Sequence, residues 1–173
     1  MIDFRPALLS IIVEPPENPL PEGVKRPGLG PRKKAHAHDD LRHWAELCGA
    51  EFSPDARKNR PDPRLMTQAS LVAKDAGRFR EFHYPAFRAR WAEARDIADP
   101  EVVRALLAGA GLDADAALAR AQSDELRERL DAESRAAVER GVFGAPTLFV
   151  GDEMFWGNDR FELVRYYIQK TSS

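Results

Sequence analysis

The sequence changes character at Gly144-Ala145-Pro146-Thr147, and that change constrains the fold more than any other stretch. Residues 147–150 form a short β-type run, Gly151-Asp152 reads as a tight turn, and residues 154–156 read as the partner strand of a hairpin. One other strand is predicted, far upstream at residues 2–8, where aliphatic residues cluster and Pro6 limits pairing. Many helices set between one early strand and a late hairpin predict an α/β organisation.

The intervening sequence is punctuated by glycine and proline. Residues 14–31, with Pro15, Pro16, Pro19, Pro21, Pro27 and Pro31, are predicted to run irregularly over the surface. A helix follows over residues 32–48, where Ala37, Leu41, Trp44, Ala45 and Cys48 recur at helical spacing and predict a buried face ending at Gly49. A helix over 65–76 leads into another at 79–91, in which Phe79, Phe82, Phe87 and Trp91 are expected to serve the core. Asp99-Pro100-Glu101 opens a helix, because Asp accepts a first-turn amide and Pro has none to leave unpaired. After a short helix at 113–122, Ser123-Asp124-Glu125 starts one that places Leu126, Leu130, Ala137 and Val138 on one side and stops at Gly141. Asn158 is predicted to cap a closing helix with an apolar stripe of Phe161, Val164, Tyr167 and Ile168.

Composition narrows the function classes. With 26 basic and 28 acidic side chains there is no charge excess for nucleic acid. No apolar run approaches the ~20 residues of a membrane helix, and the start lacks the pattern of a secretory signal, so the cytoplasm is expected. Cys48 is the only cysteine, which excludes an intrachain disulfide and a two-cysteine redox mechanism; it reads as a small buried hydrophobe. His36, His38, His43 and His83 stand at no metal-ligand spacing, and no metal is expected.

Two segments can carry chemistry. A proline directly before a strand is a candidate for the cis isomer, which would turn the amide and carbonyl of Ala145 outward toward an extended peptide ligand; a trans proline starting a strand fits the local sequence equally well. In Trp156-Gly157-Asn158-Asp159-Arg160, the free amides of a helix start attract a carboxylate, and Asp159 can pair with an ammonium group. Together they would grip an amino-acid head group. Ordinary capping by Asn158, with Asp159 favoured by the helix dipole, accounts for the same residues more simply.

Gly141-Val142-Phe143-Gly144-Ala145-Pro146-Thr147, Val150-Gly151-Asp152-Glu153 and Phe155-Trp156-Gly157-Asn158-Asp159-Arg160 resemble the C-terminal thioredoxin half of the 2-hydroxychromene-2-carboxylate isomerases, relatives of kappa-class glutathione transferases and of DsbA. Arg95-Asp96-Ile97-Ala98-Asp99-Pro100, the aromatic helix before it and residues 41–49 resemble the helical insertion of that group. The resemblance implies a thioredoxin-like fold with an inserted helical domain. The divisions are residues 1–31 for the second thioredoxin strand and Pro-rich loop, 32–140 for the insertion, and 141–173 for the C-terminal thioredoxin half. It implies glutathione as the cofactor, with Ala145 and Pro146 meeting its cysteinyl part and Asn158 and Asp159 its γ-glutamyl end. The implied substrate is a small aromatic-derived molecule, and Trp91 and Trp156 are assigned as walls of its cleft.

The family opens with a strand and a Ser-Pro or Cys-Pro helix start that contacts the glutathione sulfur. Residues 1–9 resemble the second strand instead, so the fold is expected to be N-terminally truncated, with the first strand and first helix absent and no catalytic residue assigned. A sheet edge left unpaired in this way invites a homodimer. Three functions follow in order: a glutathione-dependent isomerase acting on aromatic-degradation intermediates, a non-catalytic glutathione- or partner-binding remnant, and a thiol-disulfide oxidoreductase relative.

Overall fold

The computed structural model describes residues 3–12 and 30–171. The expected Pro-rich excursion lies outside the described residues except for its last two positions. In chain order the elements are α1 (Leu9–Ile12), α2 (Pro31–Leu47), a 3-10 turn (Pro54–Arg57), α3 (Arg64–Asp75), α4 (Phe79–Trp91), α5 (Pro100–Gly109), α6 (Ala114–Ala121), α7 (Asp124–Glu139), β1 (Thr147–Val150), β2 (Glu153–Trp156), a second 3-10 turn (Asn158–Arg160) and α8 (Phe161–Thr171). They form two compact units, Pro15–Glu128 and Met1–Glu14 with Arg129–Ser173. The division runs through α7, with Leu126 buried in the first unit and Leu130 and Ser134 in the second.

The first unit is helical. Its centre is α3, which packs against α4, α5 and α6. The small residues Ala69 and Ala73 on α3 are fully buried, which lets neighbouring helices approach closely around Leu71, Phe82, Val103 and Leu107. The α5 entry is as the sequence predicts: the Asp99 carboxylate accepts the Glu101 amide at 2.9 Å, with Pro100 in the first turn. Asp113 does the same for α6, accepting from the Ala116 amide at 3.1 Å. Arg90 on α4 donates to the carbonyls of Ala56 at 2.6 Å and Asn59 at 2.8 Å, and so ties the 3-10 loop to that helix.

Two expectations about this unit are corrected. Among the residues of α2 whose burial is described none is buried, and Cys48 at its end is exposed rather than a core thiol. The apolar stripe on α2 lines a groove instead of filling a core. Of the α4 aromatics expected in the core, Phe82 is fully buried, while Phe87 and Trp91 remain exposed on the face turned to that groove.

In the second unit the hairpin pairs Thr147 with Trp156, Leu148 with Phe155, Phe149 with Met154 and Val150 with Glu153. Gly151, at φ +60, supplies the left-handed turn conformation. Opposed residues share a face, so Leu148 and Phe155 point one way and Phe149 and Trp156 the other. The first face meets α8, where Tyr167 lies 5.1 Å from Phe155, ring centre to ring centre. The second receives the end of α7, with the Arg140 guanidinium 3.8 Å above the Phe149 ring.

The early strand is not seen among the described residues. Among the described residues, 3–8 join no ladder, and β1 and β2 pair with each other. Pro6 has no amide to give to a ladder. Leu8 is committed elsewhere: its amide donates to the Ser134 hydroxyl at 3.0 Å, and its carbonyl accepts from Ile11 and Ile12 to start α1. The stripe on α8 is also only partly buried. Val164 is covered, but Phe161 and Ile168 are about half exposed, because a two-stranded sheet offers too narrow a surface to cover the whole stripe.

Candidate functional site

The site in the second unit begins at the end of α7. Gly141, at φ +86, closes that helix, and the chain then enters Gly144-Ala145-Pro146-Thr147. The Ala145–Pro146 bond is cis. The Thr147 hydroxyl donates to the Gly144 carbonyl at 2.7 Å and closes the loop on itself. Gly144 is required by its neighbour, since a Cβ there would sit 2.5 Å from the Trp156 indole nitrogen. The indole lies against this glycine and also meets the Phe143 ring at 5.1 Å. Ala145 is exposed, and neither its amide nor its carbonyl has a hydrogen-bond partner among the described residues.

The mouth of the last helix is joined to this loop directly. The Gly157 amide donates to the Pro146 carbonyl at 3.0 Å, extending the hairpin pairing by one step. This places Ala145, Pro146 and the Gly157-Asn158-Asp159 segment at one end of the hairpin. Gly157 adopts φ +115, where a side chain would be strained, and a Cβ would lie 2.6 Å from Asp159 Oδ1. That oxygen therefore folds back over the glycine toward the loop, while Oδ2 accepts from Arg160 at 2.8 Å.

Asn158 does not cap a helix through its side chain. It opens the 3-10 turn that precedes α8, with Gly157 at the cap position and no side-chain cap bond. The tighter turn leaves the first amides, those of Asn158 and Asp159, without main-chain acceptors among the described residues. Chemically, the end of the hairpin offers a free donor and acceptor on Ala145, unpaired amides at a turn start and a carboxylate oxygen beside them. Those groups suit a zwitterionic, peptide-like ligand.

Trp156 belongs to this unit, half exposed beside Gly144. Trp91 belongs to the helical unit, where it lines an apolar groove of about 700 Å³ between α2 and α4. Leu41, Trp44 and Cys48 form one wall and Tyr84, Phe87 and Trp91 the other, with Phe52 stacked 6.0 Å from Trp91. Arg88 brings charge to it, donating to Glu51 at 2.9 Å and Glu93 at 3.1 Å; the Glu51 bond, first of the two, raises its already high pKa. The volume is in the range of small-molecule sites. Sequence reasoning missed this groove because its signal, the apolar stripe of α2, is the same as that of a core-facing helix.

His83 lies on α4 between Phe79 and Phe87, with ring centres 4.7 and 4.6 Å away, and burial lowers its pKa. The unfolded chain then takes up the proton before the folded one as the pH falls. Stability contributed by neutral His83 is therefore expected to be full above about pH 6.5 and lost as the pH drops toward its folded value. Urea midpoints at pH 5 and 7.5 should differ less in His83→Gln than in the parent protein; an unchanged difference would assign the acid sensitivity elsewhere.

A cis-proline loop feeding a terminal hairpin and helix, with a separate helical unit, defines a protein of thioredoxin type. The family model for the DSBA-like thioredoxin domain matches residues 2–169, and the chain belongs to that family. It is 37% identical over 124 residues to the 2-hydroxychromene-2-carboxylate isomerase of Pseudomonas putida, covering 70% of this chain and 58% of that protein. The enzyme of the same name from Sphingobium xenophagum is 34% identical over 100 residues, covering 58% and 51%. A solved 2-hydroxychromene-2-carboxylate isomerase structure superposes with a TM-score of 0.70 at 28% identity, over 84% of this chain and 72% of that one. The chain spans about half the length of the curated relatives it matches. Among the described residues no helix is long and apolar enough to cross a membrane.

Proposed function

We propose that this chain is a glutathione-binding isomerase of the 2-hydroxychromene-2-carboxylate isomerase type, acting on an aromatic-degradation intermediate. The observation that carries the reading is the state of Ala145: both main-chain groups are unengaged, one residue from the Pro146 carbonyl that binds the Gly157 amide beside Asp159. The names of the relatives support the isomerase class.

The residues present fit glutathione. Ala145 offers one donor and one acceptor to the cysteinyl backbone, as an added strand would use them. The amides of Asn158 and Asp159 would receive the γ-glutamyl carboxylate, and Asp159 Oδ1 its ammonium. When bound, glutathione supplies a thiol for reversible addition to a conjugated substrate. The chain itself would position the tripeptide by these contacts.

Titration calorimetry with reduced glutathione tests binding, and conversion of 2-hydroxychromene-2-carboxylate, followed by its absorbance, tests turnover. Binding with turnover is the expected result. Absence of heat would end the glutathione reading. Binding without turnover would select the non-catalytic remnant.

A further inference from the structure

We infer that the α7 side of the hairpin holds a site for an aromatic carboxylate, with Arg140 receiving the carboxylate and Phe143 and Trp156 receiving the ring. The register of the hairpin places these groups. Thr147 opposes Trp156 and Phe149 opposes Met154, so Phe149 and Trp156 lie diagonally on one face, away from the face that meets α8. Phe149 is covered: the Arg140 guanidinium stands 3.8 Å above its ring. Trp156 is open. It is half exposed and meets Phe143 at 5.1 Å with 54° between the ring planes, and Phe143 is itself 46% exposed. Gly144 lets the indole lie against the loop, so this pair of rings adjoins Ala145.

Charge decides what this face can hold. Arg88, Arg104 and Arg120 are each held by acidic side chains, whereas among the described residues no carboxylate or carbonyl oxygen receives the Arg140 guanidinium. The Phe149 ring attracts the cation without neutralising it, and the N–H fork matches the two oxygens of a carboxylate. The hairpin adds no acidic side chain here: Thr147, Phe149, Met154 and Trp156 make up this face, and Glu153, opposite Val150, belongs to the other. Diagonal neighbours on a sheet face stand about 7–8 Å apart, a separation that a fused bicyclic ring bearing a carboxylate can bridge. The assignment rests on the isomerase proposed above for its natural ligand, since 2-hydroxychromene-2-carboxylate has this form.

The test is titration of the full chain, without glutathione, with 2-hydroxychromene-2-carboxylate and with a neutral 2-hydroxychromene that lacks the carboxylate, followed by calorimetry and by the indole N–H resonances. Saturable binding of the carboxylate is expected, with the Trp156 signal shifting and those of Trp44 and Trp91 unmoved. The neutral compound should bind the parent protein roughly tenfold more weakly, a comparison that needs no variant. Arg140→Gln should bring the carboxylate to the affinity of the neutral compound and leave the latter unchanged, while Arg140→Lys should restore part of the difference. Phe143→Ala should weaken both ligands alike. Equal loss of both ligands in Arg140→Gln would make Arg140 merely structural and overturns the inference. So do equal affinities of the two compounds for the parent, absence of binding, or a shift confined to Trp91, which would assign the ring to the helical groove. Glutathione calorimetry on the same protein reports separately on the isomerase: chromene binding without glutathione heat removes that reading and keeps the site, and glutathione heat with chromene binding indifferent to Arg140 does the reverse.

Discussion

Asp159→Asn should weaken binding of reduced glutathione about 10–100-fold. The substitution keeps the shape of the side chain and removes its charge, so it isolates one interaction: the carboxylate Oδ1, folded over Gly157, against the γ-glutamyl ammonium. A hydrogen bond between charged groups contributes about 1.5–3 kcal/mol, and each 1.4 kcal/mol is a factor of ten in affinity. Arg160 already engages Oδ2 at 2.8 Å in an exposed setting, where solvent screens the pair, so the free oxygen retains its capacity to accept. A glutathione analogue lacking the γ-glutamyl amine provides the second arm. It should bind the parent protein as weakly as glutathione binds the variant, and should lose nothing further in the variant, because the two changes remove the same contact. Equal affinity of parent and variant for glutathione, measured by calorimetry, would remove Asp159 from the site. Fully additive losses would mean that the amine and the carboxylate act separately.

The sequence revealed most of the fold wherever a local signal has one physical meaning. Asp99-Pro100 marks a helix start because a carboxylate and a missing amide solve the same problem of unpaired donors, and Gly151-Asp152 marks a hairpin because the turn demands a left-handed residue. The signals that misled have two meanings. Leu41, Trp44, Ala45 and Cys48 form a stripe whether the helix faces a core or a groove, and only the tertiary arrangement distinguishes them. Asn158 looks like a cap whether or not the helix begins there; the 3-10 turn places it one step outside the role its side chain suggests. Of the candidate site, the motif singles out Ala145, Pro146, Asn158 and Asp159, yet the Gly157 to Pro146 bond that joins the two segments is not legible in it. The isomer of Ala145–Pro146 depends on the same tertiary setting.

The residues at 2–8 show the point most sharply, and they yield a measurable consequence. Their composition suits a strand, but Leu8 spends its amide on Ser134, a serine in the middle of α7 that is fully buried. The Ser134 hydroxyl in turn donates to the Leu130 carbonyl at 2.7 Å, the usual bond of a serine to the preceding turn of its own helix. Ser134→Ala leaves the Leu130 carbonyl with its helical partner but strands the Leu8 amide in the interior, where Leu8 is only 2% exposed. An unsatisfied buried donor costs about 1–3 kcal/mol, and alanine returns ~0.5 kcal/mol in helix propensity, so a net loss of about 0.5–2.5 kcal/mol is expected in urea unfolding. Ser70 on α3 is the matched control: it is buried, its hydroxyl donates to the Met66 carbonyl at 3.0 Å, and among the described residues it accepts from no distant amide. Ser70→Ala should therefore be neutral or slightly stabilising. The Leu8 amide should also lose its protection from hydrogen exchange in Ser134→Ala and keep it in Ser70→Ala. If the two variants lose equal stability, the cost belongs to buried serines in general and the N-terminal segment is not held by this bond.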